Sequence, residues 1–351
     1  MDSNQMYYGQ EPLQPPVFDQ KSHRKHFSRI GFAYVAFIVI STLLGAIIGL
    51  VSEIIMPGIT ENHLFSIIAN LVIMYGISAP ILFIILKGVP ADKPERRKWS
   101  FPQWIGGLFV TLFLVYLSNY IGTYIGMMIE SIFPELKAST NSLQSFAMTG
   151  DVLINALYLV ILGPIMEELV FRKLLCDRLR AYGDGVAVVV TGLLFGLTHG
   201  NLTQGVYAFT FGCFLAYIYL KTGNIFVTIS YHMVLNFIGG VVSVLSLSGL
   251  DMDEFAEVFE NGNAEAAGQY LMDHISQISG FILFLLFIMI AFVTGLIIMI
   301  VTFARGRVKF EQGKIFIPSG KKFSTVIVNP GMIAFIAVSI ISVILAMLPQ
   351  G

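Results

Sequence analysis

The chain has little charge for its length. Charged residues make up 12% of its 351 residues, well below the roughly 25% of an ordinary soluble domain, while hydrophobic residues make up 56%. The mean hydropathy is +0.77. The composition therefore excludes an ordinary soluble globular protein and indicates a membrane protein.

Cysteine is scarce, and neither sign of charge is in large excess. The two cysteines, Cys176 and Cys213, form no CxxC motif, so we expect neither a disulfide framework nor a thiolate zinc site. The net charge is −1 at pH 7. Basic residues cluster between apolar runs, which is typical of membrane orientation, so no nucleic acid partner is expected.

What the sequence has instead is long apolar runs. An apolar run of about 18 residues or more can cross a bilayer as a helix. Six such runs fall at 31–51, 64–86, 103–128, 224–247, 279–304 and 331–348, and three shorter ones at 152–166, 186–199 and 204–220. The sequence predicts an all-α fold: a polytopic bundle of eight or nine transmembrane helices within the lipid bilayer.

Charge placement predicts the orientation of this bundle. Residues 1–28 are expected to be a disordered cytoplasmic tail that ends in a basic run. Of the 21 Lys and Arg residues, only Lys137 falls outside in a nine-helix count, whereas the outer segment 251–273 has seven acids and no Lys or Arg. We expect an integral multi-pass protein with a cytoplasmic N-terminus. The Gln- and Pro-rich tail and short loops suggest a bacterial cell membrane.

Three regions follow the tail. Residues 29–150 are predicted to form three N-terminal transmembrane helices that act as scaffold. Residues 151–247 contain shorter helices with ionisable side chains. Residues 248–351 are predicted to hold an acidic outer loop and two C-terminal transmembrane helices with a basic cytoplasmic loop between them. Part of that loop, 309–322, has the alternating pattern of a small β-hairpin.

Glu167 and Glu168 are adjacent in an apolar environment. An ionisable side chain at membrane depth costs roughly 2.5–3.5 kcal/mol on insertion scales, so it usually serves a purpose. Residues four apart share a helix face, so Glu168 is predicted to pair with Arg172. Glu167 points about 100° away and is left available as a general base on water. The alternative is a helix end at the interface, where both acids are solvated.

Phe195 and His199 form a second motif. They are four residues apart on one helix face, and Gly192 and Gly196 permit a neighbouring helix to approach closely. The alternative is an interfacial histidine at a helix end.

His232 and Asn236 form a third motif, near the middle of an apolar run. As donors they could stabilise a developing oxyanion. The alternative is a polar pair that only hydrogen-bonds one helix to another.

Helix arithmetic predicts that the motifs meet. If the chain turns at 183–185, Glu167 and His199 lie at about the same height, roughly 20–24 Å from that turn. Counting from the turn at 221–224 puts His232 about 12 Å along the next helix. This height overlaps the heights of Glu167 and His199 within the variation that helix tilt allows.

Two observations complicate this arrangement. Arg178 and Arg180 lie within the first hairpin, so its helix must protrude from the membrane or bend along its surface.

Glu167, His199 and His232 could also ligate zinc or iron. Because the sequence has no HExxH motif, no metal or other cofactor is assigned.

The ordered motifs resemble the CPBP family, which includes the type II CAAX prenyl endopeptidases and the bacterial Abi proteins linked to bacteriocin immunity. The matching residues are EExxxR (Glu167, Glu168, Arg172), FxxxH (Phe195, His199) and HxxxN (His232, Asn236). Each motif is weak alone, but the trio on successive apolar helices is specific. The resemblance covers roughly 150–247 and makes 151–247 the expected CPBP/Abi-like catalytic core.

The resemblance implies an intramembrane glutamic-type endopeptidase, a class formerly treated as metalloproteases, acting on a membrane-associated protein or peptide substrate. Glu167 matches the base that activates water, assisted by His199. His232 and Asn236 match the pair that stabilises the oxyanion. The matched positions that support them are Glu168, Arg172 and Phe195.

Two other functions stay open. A non-catalytic bacteriocin-immunity or peptide-binding membrane protein could keep the same residues. Intramembrane Glu and His also build proton relays in transporters, although the polar residues gather in one short region and not in two matched halves.

Overall fold

The computed structural model describes residues 18–138, 151–248, 250, 252–260 and 264–349. Within these ranges the chain has no strand, so the all-α prediction is confirmed. The main helices are α1 (Gln20–Ile55), α2 (His63–Leu86), α3 (Phe101–Ile132), α4 (Val152–Tyr182), α5 (Asp184–Thr198), α6 (Leu202–Thr222), α7 (Ile225–Leu247), α8 (Met252–Glu260), α9 (Ala264–Asp273), α10 (Ile275–Ala304) and α11 (Pro330–Met347).

The nine predicted apolar runs coincide with α1 to α7, α10 and α11. Seven of these helices are long and apolar enough to cross a membrane: α1 to α4, α7, α10 and α11. Helix α5 has only 15 residues and rises about 22 Å, less than the roughly 30 Å hydrocarbon core. The described residues thus provide seven candidate membrane spans and an α5–α6 hairpin in which α5 is too short to span.

The first helix begins earlier than predicted. The Asp19 side chain accepts hydrogen bonds from two backbone N–H groups of the first turn of α1, and such a cap satisfies donors that have no partner inside the helix. Phe27 is fully buried in the core. The disorder expected for 1–28 therefore does not hold for residues 20–28, and residues 1–17 lie outside the described ranges.

The connectors that carry most basic residues meet at one end of the bundle, which we call the basic face (residues 87–100, 180–184, 221–224 and 305–318). Ion pairs tie them together: Lys221–Asp184 at 2.7 Å, Arg97–Glu311 at 3.1 Å, Arg180–Asp92 at 3.4 Å and Lys314–Asp92 at 2.8 Å. The opposite helix ends form the far face (56–62, 133–138 and 348–349), where Lys137 N donates to Met347 O at 2.8 Å.

The basic loop does not form the predicted β-hairpin. Residues 307–318 have no strand pairing, because their backbone is used by the α4–α5 connection. Asp184 N donates to Glu311 O at 3.0 Å, and Glu311 N donates to the Asp184 carboxylate at 2.9 Å. A Cβ at Gly313 would overlap the backbone of Gly183, so Gly313 permits close chain contact and does not make a hairpin turn.

Glycines let α5 and α6 pack closely, as the sequence predicts. A Cβ at Gly196 would lie 2.6 Å from Gly205 O, and one at Gly192 would overlap Cys213 Sγ. Small residues at such positions allow helix backbones to approach in a membrane. The α5–α6 hairpin is therefore a tightly packed unit that carries His199 at its turn.

Wide π-helical turns interrupt the helices around the polar motifs. They fall at Val72–Ser78 in α2, Leu157–Leu162 and Leu169–Cys176 in α4, and Ile238–Val242 in α7. Such turns are rare and are frequently found at functional sites. Here they flank the two glutamates on α4 and follow the His232 motif on α7.

Candidate active site

Glu168 and Arg172 form an ion pair at the centre of the bundle. Arg172 Nε lies 2.8 Å from Glu168 Oε2, and both side chains are fully buried. The pairing that the four-residue spacing predicts is present. An isolated buried charge would be costly, so each side chain compensates the other.

A third side chain joins this pair from another helix. His232 Nδ1 donates to Glu168 Oε1 at 3.0 Å, and His232 is itself buried. The two residues are 64 positions apart in the sequence, on α7 and α4. Spacing within one helix cannot reveal a contact between helices.

Glu167 points away from the ion pair, as its position in the helix predicts. Its side chain is 27% exposed, and Glu167 Oε2 lies 3.7 Å from His232 Nε2. That distance is longer than a direct N–H···O hydrogen bond and is a separation that a bridging water commonly accommodates. The carboxylate is therefore accessible to a small polar molecule.

His199 lies at the end of α5 with one ring nitrogen fixed. Its Nδ1 lies 2.7 Å from Phe195 O. A carbonyl oxygen can only accept, so Nδ1 carries the proton and Nε2 is left for another partner. The backbone of α5 thus fixes the tautomer of His199.

The Phe195 ring orders the surrounding side chains. Its centroid lies 4.8 Å from that of His199 and 6.0 Å from that of His232, with both rings edge-on to it. Arg172 Cζ is 5.4 Å from the same centroid. Phe211 of α6, which belongs to none of the three sequence motifs, packs edge-on against His232 at 5.0 Å.

Asn236 bonds to the backbone of α4. Its Nδ2 donates to Leu159 O at 2.8 Å, within one of the π-helical turns. An amide nitrogen has two N–H groups, so one is fixed and the second remains. This contact holds α7 against the segment of α4 that precedes Glu167.

A cavity of about 70 Å³ brings the predicted catalytic set together. Glu167, His199, His232 and Asn236 all line it, together with Phe195. A water molecule needs about 10–15 Å³ of such space and two to four polar partners, so the cavity can hold water between these groups.

A second cavity of about 210 Å³ adjoins the first, and both are lined by Glu167 and His199. Tyr75, Tyr158 and Gln204 also line both cavities but were not predicted. Uncharged polar groups on apolar helices give no strong sequence signal, and Tyr75 lies on α2, within the region that the sequence predicts to be scaffold.

The alternative prediction was a metal ion held by Glu167, His199 and His232. Among the described residues no three His, Cys, Asp or Glu side chains are grouped so that they could hold a metal ion. Glu167, His199 and His232 line the same cavity but do not form such a group.

Comparisons with known proteins find matches for the central segment of the chain. Residues 149–238 match the family described as type II CAAX prenyl endopeptidase Rce1-like. The chain is also 25% identical, over 162 residues, to a protein of Bacillus subtilis (strain 168) named "Putative membrane peptidase YdiL". That match covers 44% of this chain and 64% of the relative, so it spans less than two thirds of the relative's length. No solved structure matches the chain.

The matched segment contains Glu167, Glu168, Arg172, Phe195, His199, His232 and Asn236. Together with the seven apolar helices, the match supports an integral membrane protein. The resemblance predicted from the three motifs is confirmed in this segment, since residues 149–238 match the family described as type II CAAX prenyl endopeptidase Rce1-like.

Proposed function

We propose that the chain is an intramembrane endopeptidase that hydrolyses a peptide bond of a membrane-associated protein or peptide. One observation carries the proposal: an acid, two imidazoles and an amide from α4, α5 and α7 line a single water-sized cavity inside an apolar bundle. Hydrolysis needs a base for water and donors for the oxyanion, and this set supplies both.

Glu167 is the base. A water between Glu167 and His199 gives one proton to the carboxylate as its oxygen attacks the carbonyl carbon, and His199 Nε2 orients that water. When the tetrahedral intermediate breaks the C–N bond, the proton held by Glu167 passes to the leaving amine. Protons balance, and one water is consumed for each peptide bond.

His232 and Asn236 stabilise the oxyanion. Nδ1 of His232 is held by Glu168, which directs Nε2 towards the cavity. A protonated His232 would balance the charges of the cluster, because Glu167 and Glu168 otherwise face only one guanidinium. Nε2 would then donate to the oxyanion, beside the second N–H of Asn236 Nδ2. Preorganised donors of this kind contribute about 2.7–4 kcal/mol each.

The test is a comparison of the membrane proteomes of cells that express wild-type protein, Glu167→Gln, or Glu95→Gln. Glu95 is an exposed carboxylate on the basic face, so Glu95→Gln is a matched control. We expect new peptide termini with wild type and Glu95→Gln, and their loss with Glu167→Gln at equal expression. Termini at wild-type level with Glu167→Gln would overturn the proposal.

A further inference from the structure

We propose that the start of α1 and the segment before α11 form a binding site for the headgroup of an anionic phospholipid. The five cations of this site, which we call the α1–α11 patch, are Lys21, Arg24, Lys25, Lys321 and Lys322. None of them lines either of the two cavities around Glu167. The site is therefore independent of the proposed peptidase function and adds a lipid ligand to it.

Close packing fixes the two halves of the patch against each other. A Cβ at Gly31 of α1 would lie 2.2 Å from the carbonyl carbon of Gly331 of α11, and Gly331 N donates to Ser28 Oγ at 2.9 Å. Further from the membrane, Gln20 Nε2 donates to Ser324 Oγ at 3.0 Å. Because both contacts join α1 to the α11 side, the cations of the two segments lie side by side at one end of the bundle.

The patch lies next to the hydrocarbon core, at the same end of the bundle as the basic face. His23 Nδ1 lies 3.1 Å from Tyr182 OH, which places the start of α1 at that end. The apolar runs begin at 31 and 331, and Lys25 is six residues, or about 9 Å, before Gly31. Headgroups occupy roughly 5–8 Å on each side of the core, and a lysine side chain is long enough to reach back to them.

None of the five cations forms an ion pair with any residue that the structure describes. Segments 20–29 and 319–329 contain no Asp or Glu. The preceding carboxylate, that of Asp19, accepts hydrogen bonds from the backbone N–H groups of Lys21 and Ser22 at 3.1 and 3.3 Å. The positive charge of the patch is thus available to an external anion.

The other connectors at this end carry acids of their own. Asp92 pairs with Arg180 at 3.4 Å and with Lys314 at 2.8 Å, and Glu311 pairs with Arg97 at 3.1 Å. These acids compensate part of the positive charge of the basic face. The α1–α11 patch is the acid-free part of this end, so an anionic headgroup should bind there more strongly than at the neighbouring connectors.

Exposed aromatic side chains accompany the cations. Phe323, which follows Lys322, is 69% exposed, and Phe32, which follows Gly31, is 49% exposed. Aromatic and cationic side chains together suit the membrane interface, where acyl chains and phosphate groups meet. A basic pocket between two membrane helices is also a typical headgroup site. This combination favours a phospholipid over a free phosphate ion, which has no apolar part.

The test is a lipid titration of the full-length protein, purified in a non-ionic detergent, with the unfolding temperature as the readout. Phosphatidylglycerol, phosphatidylcholine and inorganic phosphate are added separately. The patch variant is Lys25→Gln/Lys321→Gln/Lys322→Gln. A second variant, Lys321→Gln/Lys322→Gln, leaves α1 unchanged in case the triple variant does not fold.

The control removes the same number of charges from the neighbouring connector. Its substitutions are Lys93→Gln, Arg96→Gln and Lys98→Gln, at exposed positions that form no ion pair with a described residue. Any loss of binding that reflects net charge alone should appear equally in this control and in the patch variant.

We expect phosphatidylglycerol to raise the unfolding temperature of the wild type in a saturable manner, and phosphatidylcholine and phosphate to leave it unchanged. The patch variant should need about tenfold more phosphatidylglycerol and the double variant about fivefold more, whereas the control should stay within about twofold of the wild type. Three outcomes would overturn the proposal: equal weakening in the control, an equal effect of phosphatidylcholine, or a full effect of inorganic phosphate. The titration needs no catalysis, so its result is independent of the Glu167→Gln test.

Discussion

Glu168 Oε1 lies 3.0 Å from His232 Nδ1, and the other oxygen of the same carboxylate lies 2.8 Å from Arg172 Nε. One buried group thus orients an imidazole on α7 and compensates a guanidinium on α4. Glu167, its neighbour in sequence, has no such ion pair with Arg172 and faces the cavity. The two glutamates should therefore respond differently to substitution.

Replacement of Glu168 is expected to destabilise the fold. Glu168→Ala leaves the Arg172 charge buried without compensation, which typically costs about 3–5 kcal/mol. Thermal unfolding of the purified protein in detergent measures the effect. Glu167→Ala, at a partly exposed position 3.7 Å from His232, is the control and should shift the unfolding temperature much less. Equal shifts would contradict the structural role of Glu168.

Phe195→Leu keeps an apolar side chain but removes the ring. We expect this variant to order His199 and His232 less well. The ring contacts both histidines edge-on, and each aromatic contact contributes about 0.5–1.5 kcal/mol. We expect a lower unfolding temperature together with fewer new peptide termini. Phe226→Leu, at a 70% exposed position, is the matched control. If both variants behave like wild type, Phe195 does not order the histidines.

Gly196→Ala is expected to separate α5 from α6. The added Cβ would lie 2.6 Å from the carbonyl oxygen of Gly205, and a backbone atom cannot move aside as a flexible side chain can. Gly185→Ala in the same helix has open space around it and should be neutral or stabilising, since Ala favours helix over Gly by up to about 1 kcal/mol. Unfolding temperatures compare the two, and a Gly196→Ala variant as stable as Gly185→Ala would show that the close approach is not needed.

The ion pairs of the basic face should stabilise the folded state less at acidic pH. A hydrogen bond from Arg97, then the charge of Lys221, lowers the pKa of Glu311 below its usual 4.5. A lowered pKa means that the ionised group stabilises the folded state at higher pH, and this contribution is lost as pH falls through the folded-state value. The unfolding temperature of wild type should therefore fall more than that of Glu311→Gln between pH 6 and 3. Parallel pH profiles would contradict the assignment.

Pairs within one helix could be predicted from the sequence. The spacing of Glu168 and Arg172 predicts their ion pair, and that of Phe195 and His199 predicts their contact, because residues four apart share a helix face. Contacts between helices could not be predicted, since they depend on the rotation and tilt of each helix. The bond from His232 to Glu168 and the bond from Asn236 to Leu159 O belong to this class.

The end of the α4–α5 hairpin is bonded to neighbouring segments of the basic face. Arg178 donates to the carbonyl oxygens of Leu86 and Leu174, and Arg180 lies 3.4 Å from Asp92. The connector at 87–100 and α2 thus satisfy the two arginines that complicated the sequence interpretation. The β-hairpin prediction failed for a related reason, because residues 307–318 bond to the end of this same hairpin.

The most direct test of the account is an experimental structure of the full-length protein in a lipid nanodisc at a resolution that shows ordered water. The account predicts a water within hydrogen-bond distance of Glu167 and of at least one of His199 and His232, with Asn236 lining the same space. Side chains separated by more than one water, or a Glu167 carboxylate turned towards lipid, would contradict it.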